Sequence, residues 1–105
     1  MSDERQPEPG KKWDANKLRY DLLPADALED VVQIFSDGAA KYGDRHWEAG
    51  MSWSRPFAAA MRHLWAWWRG EDLDPESGRS HLAHAAVNVL FLMAYARRGV
   101  GVDDR

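Results

Sequence analysis

The chain reads as all-α: a small bundle of three main helices with a long aromatic loop. Three observations predict this class. Apolar residues recur at helical spacing in three segments, each flanked by proline, glycine or a capping residue. No segment alternates with the period of two that a half-buried strand needs. The 105 residues leave room for one core rather than two.

The first helix is expected after Leu23-Pro24 and runs to about Asp37. Leu28, Val31, Val32 and Phe35 form its apolar stripe, and Gly38 marks a stop or bend. The second opens with Ser54 as N-cap and Pro56 in the first turn. Its stripe is Phe57, Ala60, Met61, Leu64, Trp65 and Trp68, and Gly70 ends it. The third starts at Asp74-Pro75, an N-cap followed by proline, and ends at Arg98 before Gly99. Between the first two, residues 39–53 form a polar, glycine-broken connection whose aromatic content argues for order and function. Residues 1–10 read as a disordered tail, 11–98 as a single helical domain and 99–105 as a flexible tail. So small a core points to completion by a homo-oligomer.

Composition narrows the function. Fourteen Lys and Arg against seventeen Asp and Glu, a net charge of -3, argue against duplex nucleic acid as a partner. The absence of Cys removes disulfides, thiolate nucleophiles and thiolate metal sites. No apolar run approaches the ~18 residues of a membrane span, and the polar start is no secretory signal, so a cytoplasmic location is expected. Six Trp exceed what a small core needs; each can serve as core, as subunit contact or as a stacking surface for a base.

The third segment is apolar nearly all round, with Leu82, Ala86, Val89 and Met93 on one face, so it should be largely buried, between neighbours of its own chain or of a second subunit. Yet Ser77, His81, His84, Asn88 and Tyr95 fall within about 60° of one another on a helical wheel. An unpaired buried polar group costs about 1–3 kcal/mol, so this seam needs partners. His63, on the second segment, is placed to supply one. The connection from Gly70 to Glu76 adds four carboxylates, including Glu71 and Asp74, which repel unless water or a cation lies among them. Alternatively it is a solvated capping loop. Upstream, Lys12, Asp14, Lys17 and Arg19 alternate with Trp13, Leu18 and Tyr20 on what reads as an extended arm. Its cations, with Lys41, suit a polyphosphate.

These residues also resemble a family. Lys12-x-Asp14, Lys17-x-Arg19, Leu23-Pro24, Gly38-Ala39, Lys41-Tyr42-Gly43, Trp47, Arg62-His63-Leu64, Gly70-Glu71, Asp74, Ser77-Gly78, His81-Leu82-Ala83-His84-Ala85, Asn88 and Phe91-Leu92 are similar to the N-terminal domain of phage and bacterial dATP/dGTP diphosphohydrolases. That family looks related to the all-α MazG-type nucleoside triphosphate pyrophosphatases, which assemble as dimers or tetramers. The resemblance implies pyrophosphate release from purine deoxynucleoside triphosphates, in the host cytoplasm if phage-encoded, with a divalent metal (Mg²⁺ or Mn²⁺, Zn²⁺ as a further option). On this reading Glu71, Asp74 and His81 are the metal ligands, and His63, His84 and Asn88 the catalytic groups. Lys12, Asp14, Lys17, Arg19, Lys41 and Trp47 bind substrate. One departure stands out: the MazG-type Glu-x-x-Glu and Glu-x-x-Asp pair is reduced to Glu71-x-x-Asp74 at a turn, with His81-x-x-His84 on the helix. Imidazoles are poor Mg²⁺ ligands. The alternative is a non-catalytic protein that sequesters a nucleotide or nucleotide-derived signal. A helical interaction module, its Trp residues an interface, is the third possibility.

Overall fold

A computed structural model describes residues 9–105; of the disordered tail expected over residues 1–10, residues 1–8 lie outside the described residues. The expected three helices are present: α1 (Ala25–Tyr42), α2 (Ser54–Trp68) and α3 (His81–Arg98), with single 3-10 turns at Tyr20–Leu22 and His46–Ala49. Among the described residues there is no strand, only isolated bridges between Ser52 and Val102 and between Leu73 and Ser80. Helix α3 is the middle element, packed on both α2 and α1. Alanines at 83 and 85, both buried, let its neighbours approach closely. Toward α1 it contributes Ala83 and Val87 to a cluster with Ile34, against which Val31, Phe35 and Phe91 pack.

Helix boundaries differ from expectation at three places. Helix α1 continues through Gly38 to Tyr42 and ends at Gly43, whose φ of 101° only glycine adopts readily. The run Ala39-Ala40-Lys41 favours helix strongly enough to offset the ~1 kcal/mol that one interior glycine costs. At the start of α2, Ser54 is not the cap. Its amide and hydroxyl both donate to the Asp104 carboxylate, which caps the helix from fifty residues away. Helix α3 starts at His81 rather than after Asp74. Ser80 is its N-cap, accepting from the Ala83 amide. Residues 74–80 form a turn closed by Gly78 N–H to Asp74 O (2.7 Å) and Asp74 N–H to Arg79 O (2.8 Å).

Residues 99–105, which read as a flexible tail in sequence, carry specific bonds. Val102 exchanges amide–carbonyl bonds with Met51 and Trp53, and the Trp53 indole donates to Val100 O at 2.8 Å. Gly101 (φ 80°) passes so close to Met51 that a Cβ there would collide with the Met51 carbonyl. Tyr95, 1% exposed, donates its hydroxyl to Trp47 O at 2.6 Å and so fixes the 43–53 connection to α3.

The apolar stripes are less covered than the sequence suggests. On α2, Phe57, Met61, Leu64, Trp65 and Trp68 are open to solvent, as are Leu82, Val89, Leu90 and Met93 on α3 and Leu28 and Val32 on α1. Burial of α3 within this chain is limited to the sides that meet α1 and α2. No helix among the described residues is long and apolar enough to cross a membrane.

Two glycine substitutions should move stability in opposite directions. Gly101→Ala combines a positive φ with the Met51 clash and should lose about 1–3 kcal/mol. Gly38→Ala, with nothing within 4 Å of the added Cβ, should gain about 0.5–1 kcal/mol. Urea denaturation of the two variants checks both signs.

Candidate functional site

Three imidazoles meet where α2, α3 and the 70–80 turn come together. His81, 4% exposed, has both ring nitrogens engaged: Nε2 lies 2.6 Å from Glu71 Oε1 and Nδ1 lies 2.8 Å from His63 Nδ1. A carboxylate only accepts, so His81 donates from Nε2 to Glu71, and the two facing Nδ1 atoms of His63 and His81 share one proton between them. The His63 ring stacks on His84 with centroids 4.5 Å apart and planes 8° from parallel.

His84 is held from the turn. Ser77 Oγ lies 2.7 Å from His84 Nε2 and 3.3 Å from Asp74 Oδ2, and the same carboxylate oxygen is 3.6 Å from His84 Nε2. Asp74 also accepts the Glu76 amide at 3.1 Å. The polar seam therefore finds its partners, although Ser77 reaches His84 from the turn rather than from the helix. Asn88, one turn on, donates to His84 O at 2.9 Å.

Electrostatics favour neutral imidazoles. Burial lowers the pKa of His63, and the adjacent His84 and His81 lower it further. Burial also lowers that of His84, against the opposing pull of Asp74. Burial pushes the Asp74 carboxyl up, but the Glu76 amide, His84, His63 and Ser77 together hold it below the ordinary 3.8.

His84 and Asn88 face a cavity of about 440 Å³ between α1, the 43–51 connection and α3. Its walls include Phe35, Tyr42, Trp47 and Phe91. Trp47 is itself packed: Phe91 stacks on it at 5.2 Å, Phe35 meets it edge-on at 6.2 Å, and the Arg98 guanidinium lies 5.4 Å from its ring centre. Tyr42, more open, stacks on His46 at 4.8 Å.

Of the residues singled out in sequence, His63, His81, His84, Glu71, Asp74 and Asn88 come together, and Trp47 joins them across the cavity. The arm does not. Lys12, Asp14, Lys17 and Arg19 line neither this cavity nor the groove beside it. Arg19 forks onto Asp21 at 2.7 and 2.8 Å. Lys41 lies over the Tyr42 ring, 5.0 Å from its centre. Of the expected metal set, Glu71 and His81 bond each other directly, while Asp74 is engaged elsewhere. Glu71 is turned onto His81 and Asp74 onto the Ser77–His84 pair, so the carboxylates answer imidazoles instead of sharing an ion. Among the described residues no three His, Asp or Glu side chains are placed to hold a metal. Sequence reasoning gave no role to Arg55 or to Arg62, which flank a second concavity beside Asn88. Their spacing of seven on one helix was the available signal.

Fold and site together define a small helical domain with a partly buried histidine–carboxylate network opening on an aromatic cavity. The chain belongs to the family described as dATP/dGTP diphosphohydrolase, N-terminal, whose model matches residues 7–105. A Salmonella phage PMBT28 protein named dATP/dGTP diphosphohydrolase is 31% identical over 96 residues, covering 91% of this chain and 33% of its own length. The chain thus spans about a third of that curated relative. No solved structure matches it significantly.

The depressed histidines set a pH dependence. Unfolded imidazoles titrate near the ordinary 6.5, whereas folded His63 and His84 titrate lower. Between those values the unfolded chain binds more protons, so stability is full above 6.5 and falls as pH drops through that window. Urea midpoints from pH 8 down to pH 5 should show this loss, and His63→Gln should flatten the slope.

Proposed function

We propose that this domain binds a purine deoxynucleoside triphosphate in the aromatic cavity and hydrolyses it to the monophosphate and pyrophosphate. The observation that carries the reading is that His84, braced by Ser77 and Asp74, lines the same cavity as Phe91, Trp47 and Asn88. A ring of nucleobase size fits a pocket of that volume with aromatic walls and polar groups at Asp44, Arg45, His84 and Asn88. The name of the phage relative supplies the substrate class.

In the proposed step water attacks the α-phosphorus and the bond from that phosphorus to the bridging oxygen breaks. Pyrophosphate leaves, and the water's proton passes to His84 Nδ1, the nitrogen turned away from Ser77. A neutral imidazole is the form able to accept it, and the pKa directions above keep it neutral. Asp74, through Ser77, steadies the imidazolium that forms. His63, stacked on His84 and fixed by His81, keeps the ring oriented. Because the protein carboxylates are committed to imidazoles, the divalent ion of this reading accompanies the triphosphate as part of the substrate.

The engaged carboxylates equally favour the second reading, a nucleotide-sequestering domain with no turnover. Incubation with the four dNTPs in Mg²⁺, Mn²⁺ or Zn²⁺ separates the two. The expected result is monophosphate from dATP and dGTP, with His84→Gln slower by about a hundredfold or more. Ligand bound unchanged under every ion supports sequestration instead.

The open stripes on α2 and α3 further support a homo-oligomer, a dimer or tetramer as in MazG-type assemblies, since large apolar patches on a small domain call for cover. Trp68 is 72% exposed, so Trp68→Glu should leave the fold intact and lower the mass measured by light scattering.

A further inference from the structure

We infer that the groove along α2, flanked by Arg55 and Arg62, is an oxyanion subsite that takes the polyphosphate of a ligand whose ring occupies the aromatic cavity. The second half of that statement rests on the function proposed above; the first stands on the groove itself. The groove encloses about 530 Å³. Arg55 and Arg62 are seven residues apart, two helical turns or roughly 10 Å, and therefore lie on one face. Between them on that face stand Ala58 and Ala59, whose short side chains leave the floor low enough for both guanidiniums to reach a common ligand.

Charge makes the case sharper. Arg19, Arg79, Arg98 and Arg105 each hold a carboxylate, on Asp21, Asp37, Glu48 and Asp103 respectively. Among the described residues, Arg55 and Arg62, like Arg45, Arg69 and Arg97, have no ion pair or side-chain hydrogen bond, and of these five only Arg55 and Arg62 line the groove. Two uncompensated forks facing one concavity, on a chain of net charge -3, constitute a local anion site rather than part of a general basic surface. Groove and cavity meet at Met51 and Asn88, which line both. A ligand with an aromatic ring and a polyanionic tail spans the two, and the junction falls one helical turn from His84. The N-terminal arm, the sequence's own candidate for phosphate binding, reaches neither concavity.

Calorimetry on the full chain tests this with the α,β-methylene analogue of dATP, deoxyadenosine and inorganic tripolyphosphate. Arg55→Gln/Arg62→Gln should weaken the triphosphate analogue by about ten- to a hundredfold and leave deoxyadenosine unchanged. Tripolyphosphate should compete with the analogue on the unaltered protein only. Arg55→Lys/Arg62→Lys should recover part of the loss, keeping charge without the fork. Arg97→Gln, outside both concavities, should bind as the parent does. The inference is overturned if the double glutamine variant, with unchanged melting temperature, still prefers triphosphate over nucleoside by the parental margin. If the parent binds neither nucleoside nor nucleotide, the proposed function fails on its own. The groove is then judged by tripolyphosphate alone: binding lost in the glutamine variant supports it, and no binding overturns it.

Discussion

One buried imidazole holds this small domain in register. His81 is the first residue of α3, its amide donates to Asp72 O at 3.0 Å, and its ring is bonded at one nitrogen to Glu71 and at the other to His63 on α2. A ring so enclosed tolerates neither a missing partner nor a shifted one, because an orphaned polar atom at that depth costs on the order of 1–3 kcal/mol. Where α3 begins, how the 70–80 turn folds back and how α2 lies against α3 are therefore one constraint with three outcomes.

From it the placement of the candidate site follows. Fixing His63 fixes the plane on which His84 stacks, and fixing the turn brings Ser77 and Asp74 to the far side of the same ring. The aromatic cavity continues along the same side of α3, where Tyr95 and Phe91 hold Trp47 and its connection in place. Polar and apolar parts of the site are thus successive stretches of one helix face. Small residues at 83 and 85 make that possible by letting two neighbours approach the same axis. The cost is a thin hydrophobic core, with much of the apolar surface of α2 and α3 turned outward.

Much of this was legible in the sequence, and the limits have physical causes. Helical periodicity placed all three helices, and the wheel at 81, 84 and 88 placed the polar seam, because both depend only on local geometry. The ends were harder. Proline after Asp74 looks like a helix start, but Gly78 at φ 73° and the Leu73–Ser80 bridge make a turn of that stretch, a pairing invisible to a local pattern. Ser54 looks like its own helix's cap, yet the cap is Asp104, fifty residues on. The acidic turn suggested ligands for a cation; its carboxylates instead meet His81 and His84, because the turn folds back on the first turn of α3. Arg55 and Arg62 drew no role from the sequence, since nothing local shows that the surface between them is concave.

The clasp formed by residues 99–105 bears on how the domain can be handled. Asp104 sits on Ser54, and Ser54 is itself part of the α2 groove, so the last ordered residues lie at the edge of that concavity. An affinity tag or fusion partner appended after Arg105 would emerge beside the groove mouth and tug on the bonds that start α2. One placed before the N-terminal arm would emerge from a segment that borders neither concavity, which makes that end the safer point of attachment.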